Sequence, residues 1–335
     1  VDTITHIVLG ATIGEATAGK RLGKRALFLG AGAQSIPDLD FLSWLWLNKT
    51  ENLLAHRGFT HSIFFAVLVT VLLSFFFKWY FRRREVLRRT FILLFGLNLF
   101  AHLLLDSFNA YGIGLLEPFH EARVSLHVLY VADPFFSIWT FLAFVFLLVT
   151  RLDHRRRRLV WQAALALSGF YLLYAFSNKW YVEGQLRRDM AANQIGYEEF
   201  FTTPTPLNSW LWFAVIKQRD GYYTTYRSVF DRTGSGYYYF PRNDSLITNV
   251  KNQQEVQDLL RFAQGYYTVE SRNGAIAFNV LRFGQVVGWY NPRERFAFHY
   301  LLDKPEANHM LLQRGRFLKW DGNTFRAFVR RIAGR

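Results

Sequence analysis

The sequence predicts an α-helical multi-pass membrane bundle, with four long spans and two short N-terminal segments, followed by a mostly β (α+β) extramembrane domain. Three observations predict it. Long apolar runs stand at 59–81, 90–107, 128–150 and 159–177. Short tracts rich in arginine and lysine lie between them. Beyond about residue 180 no run long enough to span recurs, and short aromatic and β-branched segments take over.

Composition fits this division. The 335 residues are 51% hydrophobic and only 19% charged, and the mean hydropathy is +0.04. That is apolar for a soluble chain and too polar for membrane throughout, so two domains are expected, 1–180 and 181–335. The net charge of +15 would otherwise suggest nucleic acid. Much of it sits in Lys20/Arg21/Lys24/Arg25, Arg82–Arg84 with Arg88/Arg89, and Arg151 with Arg155–Arg158. Two of these tracts connect apolar runs, where cytoplasmic loops carry their positive residues; no nucleic-acid partner is expected. The chain has no cysteine, which excludes disulfides and thiolate metal sites. The opening VDTITH lacks a basic n-region and a small-residue cleavage site, so it is not read as a secretory signal.

In chain order, residues 4–18 read as a short helix that packs closely through Gly10, Ala11 and Gly14. Residues 26–36 read as a second short segment, ended by PDLD. Residues 41–47 are aromatic and interfacial in character. Neither short segment has the ~20 residues a span needs. The four long runs follow. In the second half, TTPTPLNS (202–209) reads as a loop. WLWFAVI, YYTTYRSVF, GYYYF, GAIAFNVLRF, QVVGWY and RFAFHYLL read as strands, and 251–264 and 322–333 as helices.

Placing the arginine tracts in the cytoplasm fixes the direction of each run. His56 and His61 then begin a span at the outer face, and His102 and Asp106 end one there. His6, Asp38 and Asp40 fall on the same side, and the 181–335 domain lies outside the cytoplasm. Ionisable groups at the end of a membrane helix are costly without a partner. His102 and Asp106 are four apart and share a helix face. His56 and His61 flank Arg57-Gly58, where glycine permits a sharp turn. Imidazole with carboxylate is the donor set of hydrolytic zinc sites, with manganese or iron as alternatives. The candidate metal ligands are therefore His6, Asp38, Asp40, His56, His61, His102 and Asp106, holding one or two ions. Arg57 and Asp40 are the candidate catalytic residues, with Arg57, and Arg123 as a second candidate, expected to neutralise a substrate phosphate.

Plainer readings exist for each. His6 suits a helix start, Asp38 a turn, and His102/Asp106 an intrahelical hydrogen bond. Asp133-Pro134 reads as a helix start rather than a ligand. His120 and His127 read as solvated loop residues. Glu15 falls near the cytoplasmic end, away from the others.

The order DTITH, PDLD, HRGFTHS and HLLLDSFNAYG resembles the membrane-bound metal-dependent hydrolases, also described as LexA-binding, inner-membrane-associated hydrolases. The resemblance covers residues 1–180. It implies a bacterial inner-membrane protein with a hydrolase-type metal site, and it carries no substrate. The ligand style is also similar to zinc-dependent phospholipase C. The expected function is a membrane-embedded metal-dependent hydrolase acting at the outer membrane interface on a phospholipid or other phosphoester. The rival readings are a divalent-metal transporter or channel, and a membrane scaffold whose outer domain binds a partner. Against the transporter, 65–77 and 138–149 carry no ionisable residue.

Overall fold

The computed structural model describes every residue except 235, 249, 251, 273, 304–307 and 309–319. It divides into two compact units, Val1–Tyr174 and Ala175–Arg335.

The first unit is helical. Helix α1 (Thr3–Leu22) starts where the Asp2 carboxylate accepts the Thr5 N–H. It packs against α2 (Arg25–Ser35) at backbone distance. A Cβ on Gly14 would lie 2.1 Å from the Ala26 carbonyl oxygen, and one on Gly30 2.0 Å from that of Gly10. Only glycine permits this approach, as the run of small residues predicts. A 3₁₀ helix then carries Pro37–Leu45, with Asp38 and Asp40 in its first turn. Helix α3 (Lys49–Ala55) is not anticipated by the apolar pattern. Its signal is local: Asn48 and Glu51 form a reciprocal capping box.

Helix α4 (Ile63–Tyr80) starts four residues later than the apolar run, because 59–61 form a 3₁₀ turn and Ser62 caps the Phe65 N–H. Helix α5 (Arg88–Ser107) returns beside it. Helix α6 (Pro134–Val149) follows, capped by Asp133. Helix α7 (Arg157–Ala192) is 36 residues long and runs across the division between the units.

Among the described residues three helices are long and apolar enough to cross a membrane: Ile63–Tyr80, Arg88–Ser107 and Arg157–Ala192. The expected span at 128–150 is different. Its helix begins only at Pro134 and has 16 residues, about 24 Å against a hydrocarbon core of ~30 Å. Hydropathy alone does not see that Asp133-Pro134 starts the helix. The run at 159–177, by contrast, continues as helix well beyond its apolar part.

On α4 only Ser74 is buried, while Val67, Val71, Leu72, Phe75 and Phe76 are exposed. Such a surface suits lipid rather than water. The basic tracts cap the ends of α1 and α4 and the starts of α2 and α5. There Arg157 grips Glu15 in a buried bidentate pair at 2.9 and 2.8 Å. Glu15 is thus bound at the arginine end of α1, as its sequence position predicts.

The second unit contains two antiparallel sheets. One has the order β1 (Glu199–Pro204), β2 (Leu211–Lys217), β3 (Gly221–Ser228), β4 (Tyr238–Pro241). The other has β5 (Tyr267–Arg272), β6 (Ala275–Gln285) and β7 (Phe296–Leu301). Helices α8 (Gln253–Ala263) and α9 (Gly322–Ile332) complete it. Strand alternation builds the core. Leu211, Phe213 and Val215 join Leu281, Phe296 and Phe328 in one cluster, while Trp212 and Ala214 face Val182 and Leu186. Two readings need correction. Thr202–Pro204 belong to β1 rather than a loop, because they pair with Trp212–Ala214. In QVVGWY only Gln285 belongs to a strand, and the chain turns immediately after it.

Candidate metal centre

The 3₁₀ helix, the turn before α4 and the end of α5 bring four side chains together. Asp38, His61, His102 and Asp106 each supply one donor atom, and all four atoms lie within 4.8 Å of one another. His61 Nε2 is 3.6 Å from Asp38 Oδ1 and 3.3 Å from Asp106 Oδ2. His102 Nε2 is 3.7 Å from Asp38 Oδ1 and 3.6 Å from Asp106 Oδ2. The two Nε2 atoms are 3.0 Å apart. A tetrahedral ion with bonds of about 2.0–2.1 Å has donor–donor edges of about 3.3–3.4 Å. The five distances bracket that value.

The surrounding hydrogen bonds decide where the protons sit. His102 Nδ1 lies 2.6 Å from the Gln34 carbonyl oxygen, which can only accept. His61 Nδ1 lies 3.0 Å from Thr60 Oγ1 and 3.4 Å from Asp40 Oδ2. Thr60 Oγ1 also lies 3.4 Å from Asp40 Oδ2, so it can give its proton there and accept from His61. His102 therefore donates through Nδ1 and leaves Nε2 as a bare lone pair; His61 does the same in the tautomer whose Nδ1 proton points to Thr60 and Asp40, which is the tautomer an ion at Nε2 requires. Asp106 Oδ2 is buried and accepts no hydrogen bond among the described residues. In that state four lone pairs converge, and two carboxylates, one of them beside Arg57, supply negative charge for a divalent cation. The residues fit such an ion.

The remaining candidates hold these donors in place. His6 stacks on His102 with ring centres 3.9 Å apart. It places Nε2 3.2 Å from Asp106 Oδ1, the oxygen turned away from the cluster, and Nδ1 3.0 Å from Gln34 Oε1. Asp40 spends its oxygens on His56 Nδ1 at 3.0 Å, the Arg57 backbone N–H at 2.6 Å and the His61 side. His56 meets Asp40 rather than the cluster. The seven residues expected as ligands therefore divide into four that converge and three, His6, Asp40 and His56, that do not. The four suffice for one ion.

Arg57 also differs from expectation. It is buried, its backbone is left-handed with φ 58°, and its Nε lies 3.0 Å from Asp106 Oδ2 without hydrogen-bond alignment. Nη1 donates to Asn109 Oδ1 at 2.8 Å and Nη2 to the Val1 carbonyl at 3.2 Å. The guanidinium is turned inward and neutralises Asp106, which leaves little of it for a substrate. Arg123 is likewise tied down, donating to the carbonyls of Leu54 and, at 2.8 Å, His56. Asp133 caps α6 as predicted, and His120 is exposed. His127, expected to be solvated, is buried.

Electrostatics outside the membrane-spanning segments agree with a cation-seeking site. Burial raises the Asp38 and Asp40 carboxyls, but hydrogen bonds from His61 and His56 and neighbouring imidazole charge hold both below the ordinary carboxylate value. Burial lowers His61, yet Asp106 and Asp38 outweigh it and raise the imidazole. In the absence of a cation, a proton is drawn to the same place.

The sequence does not single out Gln34 or Asn109. Gln34 gives one carbonyl to His102 and one amide to His6. An amide alone within an apolar small-residue segment is the signal it offers. Asn109, fully buried, receives Arg57 and the Tyr111 N–H.

Comparison with known proteins places this half of the chain. The sequence pattern of the YdjM inner membrane protein family matches residues 1–182, which include every residue of the cluster. Inner membrane protein YbcI of Escherichia coli (strain K12) is 36% identical over 122 residues, 36% of this chain and 69% of that protein. Uncharacterized protein YfhP of Bacillus subtilis (strain 168) is 33% identical over 153 residues, 41% of this chain and 43% of that protein. No solved structure matches. With the match covering more than half of its residues, the chain belongs to the YdjM inner membrane protein family and is an inner-membrane protein.

Proposed function

We propose that Asp38, His61, His102 and Asp106 hold one divalent ion, zinc in the first place, and that the protein is a metal-dependent hydrolase of phosphoesters at the membrane–water boundary. The observation that carries this reading is the convergence of two imidazole Nε2 atoms and two carboxylate oxygens at tetrahedral edge distances. When bound, such an ion activates a water and polarises an ester oxygen. The chain's own residues do the rest. Gln34 and Asp40 fix the imidazole tautomers, and Arg57 compensates Asp106. Asp38 is the ligand on the open side, with 21% of its side chain exposed against none for the other three.

A phospholipid or similar amphiphile is the favoured substrate. The 3₁₀ helix that turns Asp38 and Asp40 inward also presents Leu39, Phe41, Trp44 and Leu45 outward, and Trp46 follows it, all exposed. An aromatic lip of this kind seats in the headgroup layer, beside the open edge of the site.

Elemental analysis of the detergent-purified protein tests the ion. Wild type is expected to carry about one equivalent, and His61→Ala and Asp106→Ala are expected to carry none. Equal metal content in all three sinks the reading. Release of phosphate monoester from mixed phospholipid micelles, present in wild type and lost in both variants, tests the activity.

A further inference from the structure

We propose that His56 is the proton-transfer residue of the site and that Asp40 is its positioning residue; this rests on the hydrolase reading above. His56 lies in the turn between α3 and the residues that lead to His61. Its Nδ1 is anchored to Asp40 Oδ1 at 3.0 Å, and Asp40 is almost fully buried. Its other nitrogen, Nε2, has no hydrogen-bond partner among the described residues and is not sealed from solvent. The side chain is 35% exposed, while His61 and His102 are fully covered. The Tyr111 ring meets the imidazole edge-on at 4.9 Å and limits its rotation. A carboxylate that fixes one ring nitrogen and leaves the other free is the arrangement that makes histidine a general base.

Asp40 joins this pair to the ion site. Its second oxygen faces His61 Nδ1 at 3.4 Å and takes the Arg57 backbone N–H. The turn 56–61 is therefore built around one carboxylate, which sets both the free histidine and a ligand histidine. The charged groups facing His56 are Asp40 from the 3₁₀ helix, Arg57 beside it in the chain, His61 beyond Asp40, and Arg123, which donates to the His56 carbonyl at 2.8 Å.

The step balances with water alone. His56 Nε2 takes a proton from the attacking water as the new P–O bond forms. The bond to the leaving oxygen breaks, and the same proton passes from Nε2 to that oxygen. The products are an alcohol and a phosphate ester, and the imidazole ends as it began.

The test uses the full chain in detergent with zinc, and 4-nitrophenyl hexadecyl phosphate as the probe. His56→Gln and His56→Asn are compared with wild type and His61→Gln. The His56 variants are expected to keep the wild-type zinc content, which also shows that the site has folded, while His61→Gln loses it. Their kcat is expected to fall by about 10²–10⁴-fold, with KM within about two-fold and the acid limb of the pH profile gone. Zinc loss in both His56 variants, or turnover equal to wild type, overturns the proposal. Wild type that carries zinc yet leaves the probe intact overturns the hydrolase reading, and the role of His56 with it.

Discussion

His61 and His102 bring their Nε2 atoms to 3.0 Å, and His102 commits its ring proton to the Gln34 carbonyl through Nδ1. With His61 Nε2 also bare, the two lone pairs would repel, and two carboxylate oxygens beside them would add to the repulsion. Only a cation or a proton relieves it. The first prediction follows from the sign of this competition. His61 is raised in the protein without its ion. Its contribution to stability is full below its unfolded value of about 6.5 and is lost as pH rises through the raised value. The ion binds deprotonated donors and so holds better at higher pH. The drop in melting temperature on chelation is therefore expected to widen from pH 6 to pH 8. An excess of ion at 100 Kd is worth about 2.7 kcal/mol. A gap that narrows with pH contradicts the site.

Asp40→Asn leaves the four donors in place but weakens the acceptor on His61 Nδ1. Zinc affinity is expected to fall about 10–100-fold, measured by competition with a fluorescent chelator. Complete loss of zinc would make Asp40 a ligand; unchanged affinity would make its contact with His61 idle.

Gly30→Ala tests the scaffold behind the site. The new Cβ would sit 2.0 Å from the Gly10 carbonyl oxygen, a backbone atom that cannot step aside. Helices α1 and α2 must separate, and His6 and Gln34 ride on them. Overpacking of this severity costs about 3 kcal/mol or more. A lower melting temperature and weaker zinc binding are expected together. Gly32→Ala on the same helix meets nothing within 4 Å and is expected to be neutral.

These sites also show what the sequence reveals and what it hides. Residue chemistry and a shared helix face are legible, because HLLLD shows one face by its spacing. The division of labour is not. His56 and His61 look equivalent in HRGFTHS, yet the left-handed backbone at Arg57 turns one to Asp40 and the other to the cluster. Asp38 and Asp40 are likewise two residues apart, and only the 3₁₀ turn decides which faces the donors. In the second half, β5 was hidden because YTVESR is as polar as a loop, and its pairing with β6 supplies what its own pattern lacks.

Asp133 supplies a pH test away from the cluster. It caps α6, accepts from Tyr171 at 2.9 Å, and burial pushes its carboxyl up to about 6. A raised carboxyl stabilises the fold below the unfolded value near 3.9. As pH climbs, the unfolded chain ionises first and stability falls until the folded group ionises too, an effect of about 3 kcal/mol. Asp133→Asn keeps the cap through Oδ1, reverses the Tyr171 contact so that Nδ2–H donates to the tyrosine oxygen, and does not titrate. Relative to wild type its melting temperature is expected to rise between pH 4 and pH 6 and then to stay level. Parallel curves would show that Asp133 is already ionised in the fold.

Helix direction can be read from outside the cell. Along α5, Arg89 and Asp106 are separated by 17 residues of helix, about 26 Å, close to the thickness of the hydrocarbon core. The arginines and the donor cluster are therefore expected at opposite faces of the membrane, with the positive residues inside. The chain has no cysteine, so a single introduced thiol reports its own location. Arg84→Cys lies between α4 and α5, and Phe119→Cys lies in the loop after α5, where Phe119 is 81% exposed. A membrane-impermeant maleimide added to spheroplasts is expected to label Cys at 119 at once, and Cys at 84 only after the membrane is opened. The lip is read by the same means. A spin label at Trp46→Cys is expected to collide with oxygen more than with a water-soluble nickel chelate, because its side chain sits among headgroups and acyl ends rather than in water. The reverse labelling order would put the donors on the cytoplasmic side, where a cytoplasmic phosphoester becomes the substrate to try. A water-exposed label at 46 would separate the lip from the lipid and remove the support for an amphiphile.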